Sequence, residues 1–99
     1  MDIGRYDTAE MLDEPEVVIE FLRMVWATGD AAKISAAVGA VARSEGMTKI
    51  ARATGLAREG LYKSLSEDGN PSFSTILKVL DACGLVLVPS EKSRELETA

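Results

Sequence analysis

The chain has no histidine, one cysteine, one tryptophan and three prolines in 99 residues, and it has no long apolar run. Each shortage removes a class of protein. A single cysteine cannot form an internal disulfide, and without histidine it cannot build the usual zinc sites. There is no metal-ligating cluster, no glycine loop to cradle a phosphate and no nucleophile with a base beside it. The residues therefore offer no catalytic centre, and neither an enzyme nor a cofactor is expected. No segment approaches the roughly 20 apolar residues that span a bilayer. The opening MDIGRYD is acidic and unlike a signal peptide. A soluble, reducing, cytoplasmic setting without a membrane partner follows. Cys83 falls on the apolar side of a predicted helix, which favours a buried thiol over a reactive one.

Basic charge is also scarce: 11 Lys and Arg stand against 16 Asp and Glu, for a net charge of -5. That total argues against nucleic acid as a partner, but the charge is unevenly divided. Residues 1 to 30 carry -6, residues 31 to 65 carry +4, and residues 66 to 99 carry -3. One stretch alone is basic, and its pattern is distinctive.

Helical periodicity dominates the chain. Ninety-nine residues suffice for one domain with one modest core. The expected division is a helix-turn-helix domain over 1–90, with an acidic helical N-terminal extension, and a flexible polar tail over 91–99. A turn of helix is possible at Thr8 to Leu12. Pro15 then suits a first helical position, and Val18, Phe21, Leu22 and Val25 form a buried stripe widened by Val17, Met24 and Trp26. Gly29 ends that helix and Asp30 caps the next, whose inner face reads Ile34, Ala37, Val38, Val41 and Ala42. Gly46 stops it. After the turn-rich run SEDGNP, Ser72 caps a last helix with the predicted inner face Phe73, Ile76, Leu77, Leu80 and Cys83, closed by Gly84. Leu85 to Val88 reads as a short strand or extended segment. A strand there would need the same segment of a second subunit, because one strand cannot stand alone.

Met47 to Leu65, MTKIARATGLAREGLYKSL, carries the spacing of a helix-turn-helix. Ala51 leaves room for a crossing helix, Gly55 accepts the positive φ of a tight corner, and Leu61 turns back to plug the angle with Ile50 and Leu56. A purely structural corner needs the same residues, but the basic charge of this stretch favours a DNA reader. If the second helix begins at Arg58, its outward set is Arg58, Glu59, Tyr62, Lys63 and Ser66. Arg58 is placed for guanine O6 and N7, Glu59 for a cytosine amino group, Tyr62 for a sugar or thymine methyl, and Lys63 for a base or phosphate. Backbone contacts are expected from Thr48, Lys49, Arg52, Ser66, Asn70 and Ser72. For Thr48 and Ser72 the alternative is a helix cap, and for Glu59 it is a favourable place near the helix dipole. Ala57 occupies the N-cap and forgoes about 1 kcal/mol relative to Ser or Thr.

The run GMTKIARATGLAREGLYKSLSEDGNPSFSTILKVLDACGL, the lead YDTAEMLDEPEVVIEFL and the stretch Gly29 to Gly46 resemble the addiction-module antidote proteins, Hig-type antitoxins of bacterial type II toxin-antitoxin modules. The resemblance implies an all-α, five-helix Cro/repressor-like bundle that binds double-stranded operator DNA, represses its own operon and neutralises a RelE/ParE-like toxin. It implies base contacts at Arg58, Glu59 and Lys63 and backbone contacts near Thr48 and Asn70. Cro-like proteins commonly open the motif with Gln where this chain has Met47 or Thr48, and relatives often have Ser at Ala57. A homodimer is expected of a palindrome reader. The acidic N-terminal third suits a basic, RNA-binding toxin. The alternatives are a free-standing or phage-type repressor without a toxin, and a protein-interaction module with a relic helix-turn-helix.

Overall fold

The computed structural model describes residues 14 to 92. The expected turn at Thr8 to Leu12 and most of the polar tail lie outside these residues. Among the described residues there are five helices and no strand: α1 (Pro15–Ala27), α2 (Ala31–Glu45), α3 (Met47–Thr54), α4 (Arg58–Ser64) and α5 (Phe73–Ala82). None is long and apolar enough to cross a membrane.

The connections are short because their chemistry is local. Thr28 Oγ1 donates to the Val25 carbonyl (2.6 Å) and accepts from Asp30 N-H (3.1 Å), which ties off α1. The Asp30 carboxylate then accepts from the amides of Ala32 and Lys33 and starts α2. Gly46, at φ 102°, is at once the C-cap of α2 and the N-cap of α3, so no linker separates these helices. At the far end, Gly84 N-H donates to Asp81 and Leu85 N-H to Leu80 (2.8 Å), the paired bonds of a Schellman motif.

The core is built on α2, which packs against all four other helices. Ala37 through Ala42 are buried in an unbroken run. Small residues make this possible. A Cβ added at Gly39 would overlap the Leu65 carbonyl oxygen, so α2 approaches the chain at the end of α4 backbone to backbone. Val18 and Leu22 from α1, Met47 and Ile50 from α3, Leu61 from α4, Leu65 just beyond it, and Ile76, Val79 and Leu80 from α5 complete the cluster. Phe21, Val25, Trp26 and Ile34 pack on it half-buried, whereas Val17 and Met24 face solvent.

One expectation is corrected. Phe73 is 67% exposed and Leu77 40% exposed, so neither is on the inner face of α5. Burial is centred instead on Ile76, Val79 and Leu80, with Cys83 one turn on. Successive helical residues are about 100° apart, so a face that includes Val79 rotates Leu77 out. Phe73, the first residue of the helix, lies at its rim. The segment Leu85 to Val88 forms no strand among the described residues: Leu85 N-H closes α5 through Leu80, and residues 86 to 88 make no backbone hydrogen bond to the described residues, which leaves the extended segment that the sequence also allowed.

Candidate nucleic-acid interface

α3 and α4 meet through the three residues Gly55 to Ala57. Gly55 is left-handed (φ 74°) and its N-H donates to the Ala51 carbonyl at 2.9 Å. Thr54 staples the corner: its hydroxyl donates to the Ile50 carbonyl (2.8 Å) and accepts from Leu56 N-H (3.3 Å). This role escaped the sequence reading, although Thr one residue before a turn glycine is a recognised signal for such back-bonding. Ile50 and Leu61 are fully buried, half-buried Ala51 and Leu56 pack against them, and Met47 is buried beneath the start of α3. Met47 is thus a core residue, and Thr48 is the first exposed side chain of the pair.

α4 begins at Arg58 with Ala57 at its N-cap and no side-chain cap bond. Arg58, Glu59, Tyr62 and Lys63 are all exposed on its outer side. The Arg58 guanidinium lies 5.5 Å from the centroid of the Tyr62 ring, a cation-π contact one turn apart that holds both groups over the same surface. Gly60 is exposed between them, and a Cβ added there would meet nothing nearer than the Ala57 Cβ at 3.9 Å.

The flanking candidates divide. Thr48, Arg52 and Asn70 are exposed, and Thr48 makes no side-chain cap bond. Lys49 is exposed but its Nζ lies 3.5 Å from Glu45 Oε2, a surface pair one turn apart and worth about 0–1 kcal/mol. The hydroxyls of Ser66 and Ser72 are already engaged. Ser66 Oγ donates to the Lys63 carbonyl (2.9 Å), while Ser72 Oγ accepts from Thr75 N-H (3.1 Å) and donates to Thr75 Oγ1 (3.0 Å). Ser72 is a helix cap, the alternative that its sequence position allowed. Exposed Glu67 and Asp68 stand between Ser66 and Asn70 and set two carboxylates beside that flank.

Cys83, at the C-cap of α5, is half-buried. Burial pushes its thiol up to about 11, with Glu45 acting in the same direction and Lys49 opposing.

This surface therefore presents a short helix with an arginine, a lysine, a tyrosine and a glutamate outward, flanked by α3 with Lys49, Arg52 and a free hydroxyl. Its side chains offer donors and acceptors that can hydrogen-bond base edges and charges that can attract phosphates. Residues 2–90 match the family described as "Probable addiction module antidote protein". An uncharacterized protein of Haemophilus influenzae is 41% identical over 80 residues, covering 81% of this chain and 82% of the relative. No solved structure matches the chain. With nine-tenths of its length matched, the chain belongs to the addiction module antidote protein family.

Proposed function

We propose that the protein is the antitoxin of a type II toxin-antitoxin pair, a Hig-type member with a Cro/repressor-like helix-turn-helix, and that it acts in the cytoplasm. Two copies bind operator DNA upstream of their own gene through α3 and α4, repress the operon, and hold a RelE/ParE-like toxin inactive. The observation that carries this reading is a coincidence. The one basic third of the chain, residues 31 to 65, contains the α3-turn-α4 pair, whose charged residues face outward while Ile50, Leu61 and Leu65 hold it from within.

In this reading α4 enters the major groove. Arg58 reads a guanine, Glu59 a cytosine amino group, and Lys63 a base or phosphate, while Tyr62 packs on sugar or a thymine methyl. Thr48, Lys49, Arg52 and Asn70 meet the backbone. Ser66 and Ser72 contribute through their backbone amides, since their hydroxyls are engaged. The deciding experiment is a footprint on the DNA just upstream of the gene, with binding measured across salt concentrations. Arg58→Ala with Lys63→Ala should weaken binding by about 2 kcal/mol or more and lower the salt slope by about 1. Binding that is unaffected by both would reject α4 as the reader.

The toxin surface is assigned to the outer side of α1, where exposed Glu16 and Glu20 accompany exposed Val17 and Met24. This combination suits a basic partner with an apolar anchor point. Val18 and Leu22 of the same helix are core residues, so truncation would unfold the protein. The informative variant is Glu16→Gln with Glu20→Gln, and full-strength capture of the toxin by it would remove the assignment.

A further inference from the structure

Arg58 opens α4 at the positive end of the helix, where a cation is disfavoured. No carboxylate offsets this, since Glu59, next in sequence, lies about 100° further round the helix. The positions that can meet Arg58 along the helix are three and four residues on. The first is Leu61, buried in the core, and the second is Tyr62. Arg58 takes the second: its Cζ stands over the Tyr62 ring, 5.5 Å from the centroid. Tyr62 is 42% exposed, so the pair lies on the open surface.

A contact of this kind differs from an ion pair in what it leaves free. A carboxylate engages the N-H fork of a guanidinium, whereas an aromatic face attracts the cation and leaves the fork unspent. Among the described residues the Arg58 guanidinium has no hydrogen-bond or ion-pair partner. Lys49 is the contrasting case, a cation held by the Glu45 carboxylate. One cation of this surface is therefore restrained through its charge alone, with every donor still available.

We propose that Tyr62 is a positioning residue that makes Arg58 a reader of guanine and not of phosphate, and so sets the ratio of operator binding to non-specific binding. This rests on the operator reading of α4 and deepens it. An unrestrained arginine samples many rotamers and meets phosphates, which every DNA sequence presents alike. Held over the Tyr62 ring, Arg58 stays on the outer side of α4 and loses less freedom when its fork meets guanine O6 and N7. The role is separate from packing of the Tyr62 ring on sugar or a thymine methyl. Any apolar side chain can pack in that way, but only an aromatic face restrains a cation.

The test uses the full-length protein and three probes: the duplex that it protects upstream of its gene, that duplex with each protected guanine replaced in turn by 7-deazaguanine, and a scrambled duplex of equal composition. Tyr62→Leu keeps apolar bulk without an aromatic face, and Tyr62→Phe keeps the face without the hydroxyl. In the wild type, loss of N7 at the guanine read by Arg58 should weaken binding, and Arg58→Ala should abolish that penalty. Tyr62→Leu should weaken operator binding about two- to fivefold, as expected for loss of an exposed cation-π contact. It should also shrink the 7-deazaguanine penalty and leave binding to the scrambled duplex equal or stronger, with the helical signal unchanged. Tyr62→Phe should keep the wild-type ratio, and in an Arg58→Ala background Tyr62→Leu should have no further effect. A Tyr62→Leu protein with the wild-type ratio and the full penalty would overturn the inference alone. So would an undiminished loss in the Arg58→Ala background, or a Tyr62→Phe protein as impaired as Tyr62→Leu. A wild type that leaves no footprint, or that binds equally well as Arg58→Ala, removes operator reading by Arg58 itself and the inference with it.

Discussion

Gly39→Ala and Gly60→Ala are the same chemical change in two helices, and the structure assigns them opposite signs. Either substitution removes backbone freedom from the unfolded chain and improves helix propensity, a gain of about 0.5–1 kcal/mol. At Gly60 nothing opposes that gain, since the nearest atom to a new Cβ is at 3.9 Å, an ordinary contact. At Gly39 the new Cβ would overlap the Leu65 carbonyl oxygen and lie 3.2 Å from both the carbonyl carbon and the Cβ of Leu65. An ordinary carbon-oxygen approach is about 3.3–3.6 Å, so α2 and the end of α4 must separate by roughly 1 Å. A gap of that size forfeits a quarter to a half of the dispersion energy of the atoms that line it, here the side chains of Val38, Val41, Leu61 and Leu65. Overpacking of this kind costs about 1–3 kcal/mol, and the upper end applies because the obstacle is backbone and cannot rotate away. Net of the propensity gain, Gly39→Ala should destabilise by about 2 kcal/mol. For a domain of this size that lowers Tm by about 8–16 °C, whereas Gly60→Ala should raise it by about 2–8 °C. Thermal unfolding followed by circular dichroism measures both. A Gly39→Ala protein at or above the wild-type Tm would refute the close approach of α2 to Leu65.

The remaining expectations concern local chemistry. Ala57→Ser should supply the missing cap of α4 and raise stability by about 1 kcal/mol; a Tm at or below wild type would mean that α4 does not start at Arg58. Cys83 should resist alkylation. With its thiol raised from 9.0 to about 11, its thiolate fraction at pH 8 is about a hundredth of that of an unperturbed thiol, and iodoacetamide labelling as fast as in the unfolded chain would contradict its burial. The same shift has a defined sign in unfolding. The native state keeps the proton up to about 11 while the unfolded chain releases it above 9.0, so stability should decline as pH rises from 9 to 11. Cys83→Ala should lose that component of the decline in denaturant titrations.

Much of this fold was legible because its punctuation is chemical. Asp30, Gly46, Gly55, Ser72 and Gly84 each act at the helix boundary where their residue type suggests. The burial of Ala37, Val38, Val41 and Ala42 in α2 and the placement of Ile50 and Leu61 follow equally directly from a period of 3.6, whereas the burial of Gly39 and Ala40 on the other side of α2 does not. The rotation of α5 was not legible. Phe73, Leu77 and Val79 are all apolar, and only the contour left by α2 and α3 decides which of them faces inward. Gly39 inside α2 reads in sequence as a mere weakness, since its use depends on a carbonyl 26 residues away. For the site, the outward set on α4 was accessible from the starting residue alone. What could not be seen was that Ser66 and Ser72 have their hydroxyls engaged and that Lys49 has a carboxylate within 3.5 Å.

The unbroken burial of Ala37 to Ala42 has an implication for redesign. A helix points in every direction within fewer than six residues, so this stretch of α2 has no dry side and wet side; it is a post with walls all round. Its slimness, alanine, valine and glycine throughout, sets how near the other helices can stand, and any thickening displaces more than one of them. Arg58, Glu59, Tyr62 and Lys63 stand outside those walls. These outward side chains can therefore be exchanged while the post stays as it is.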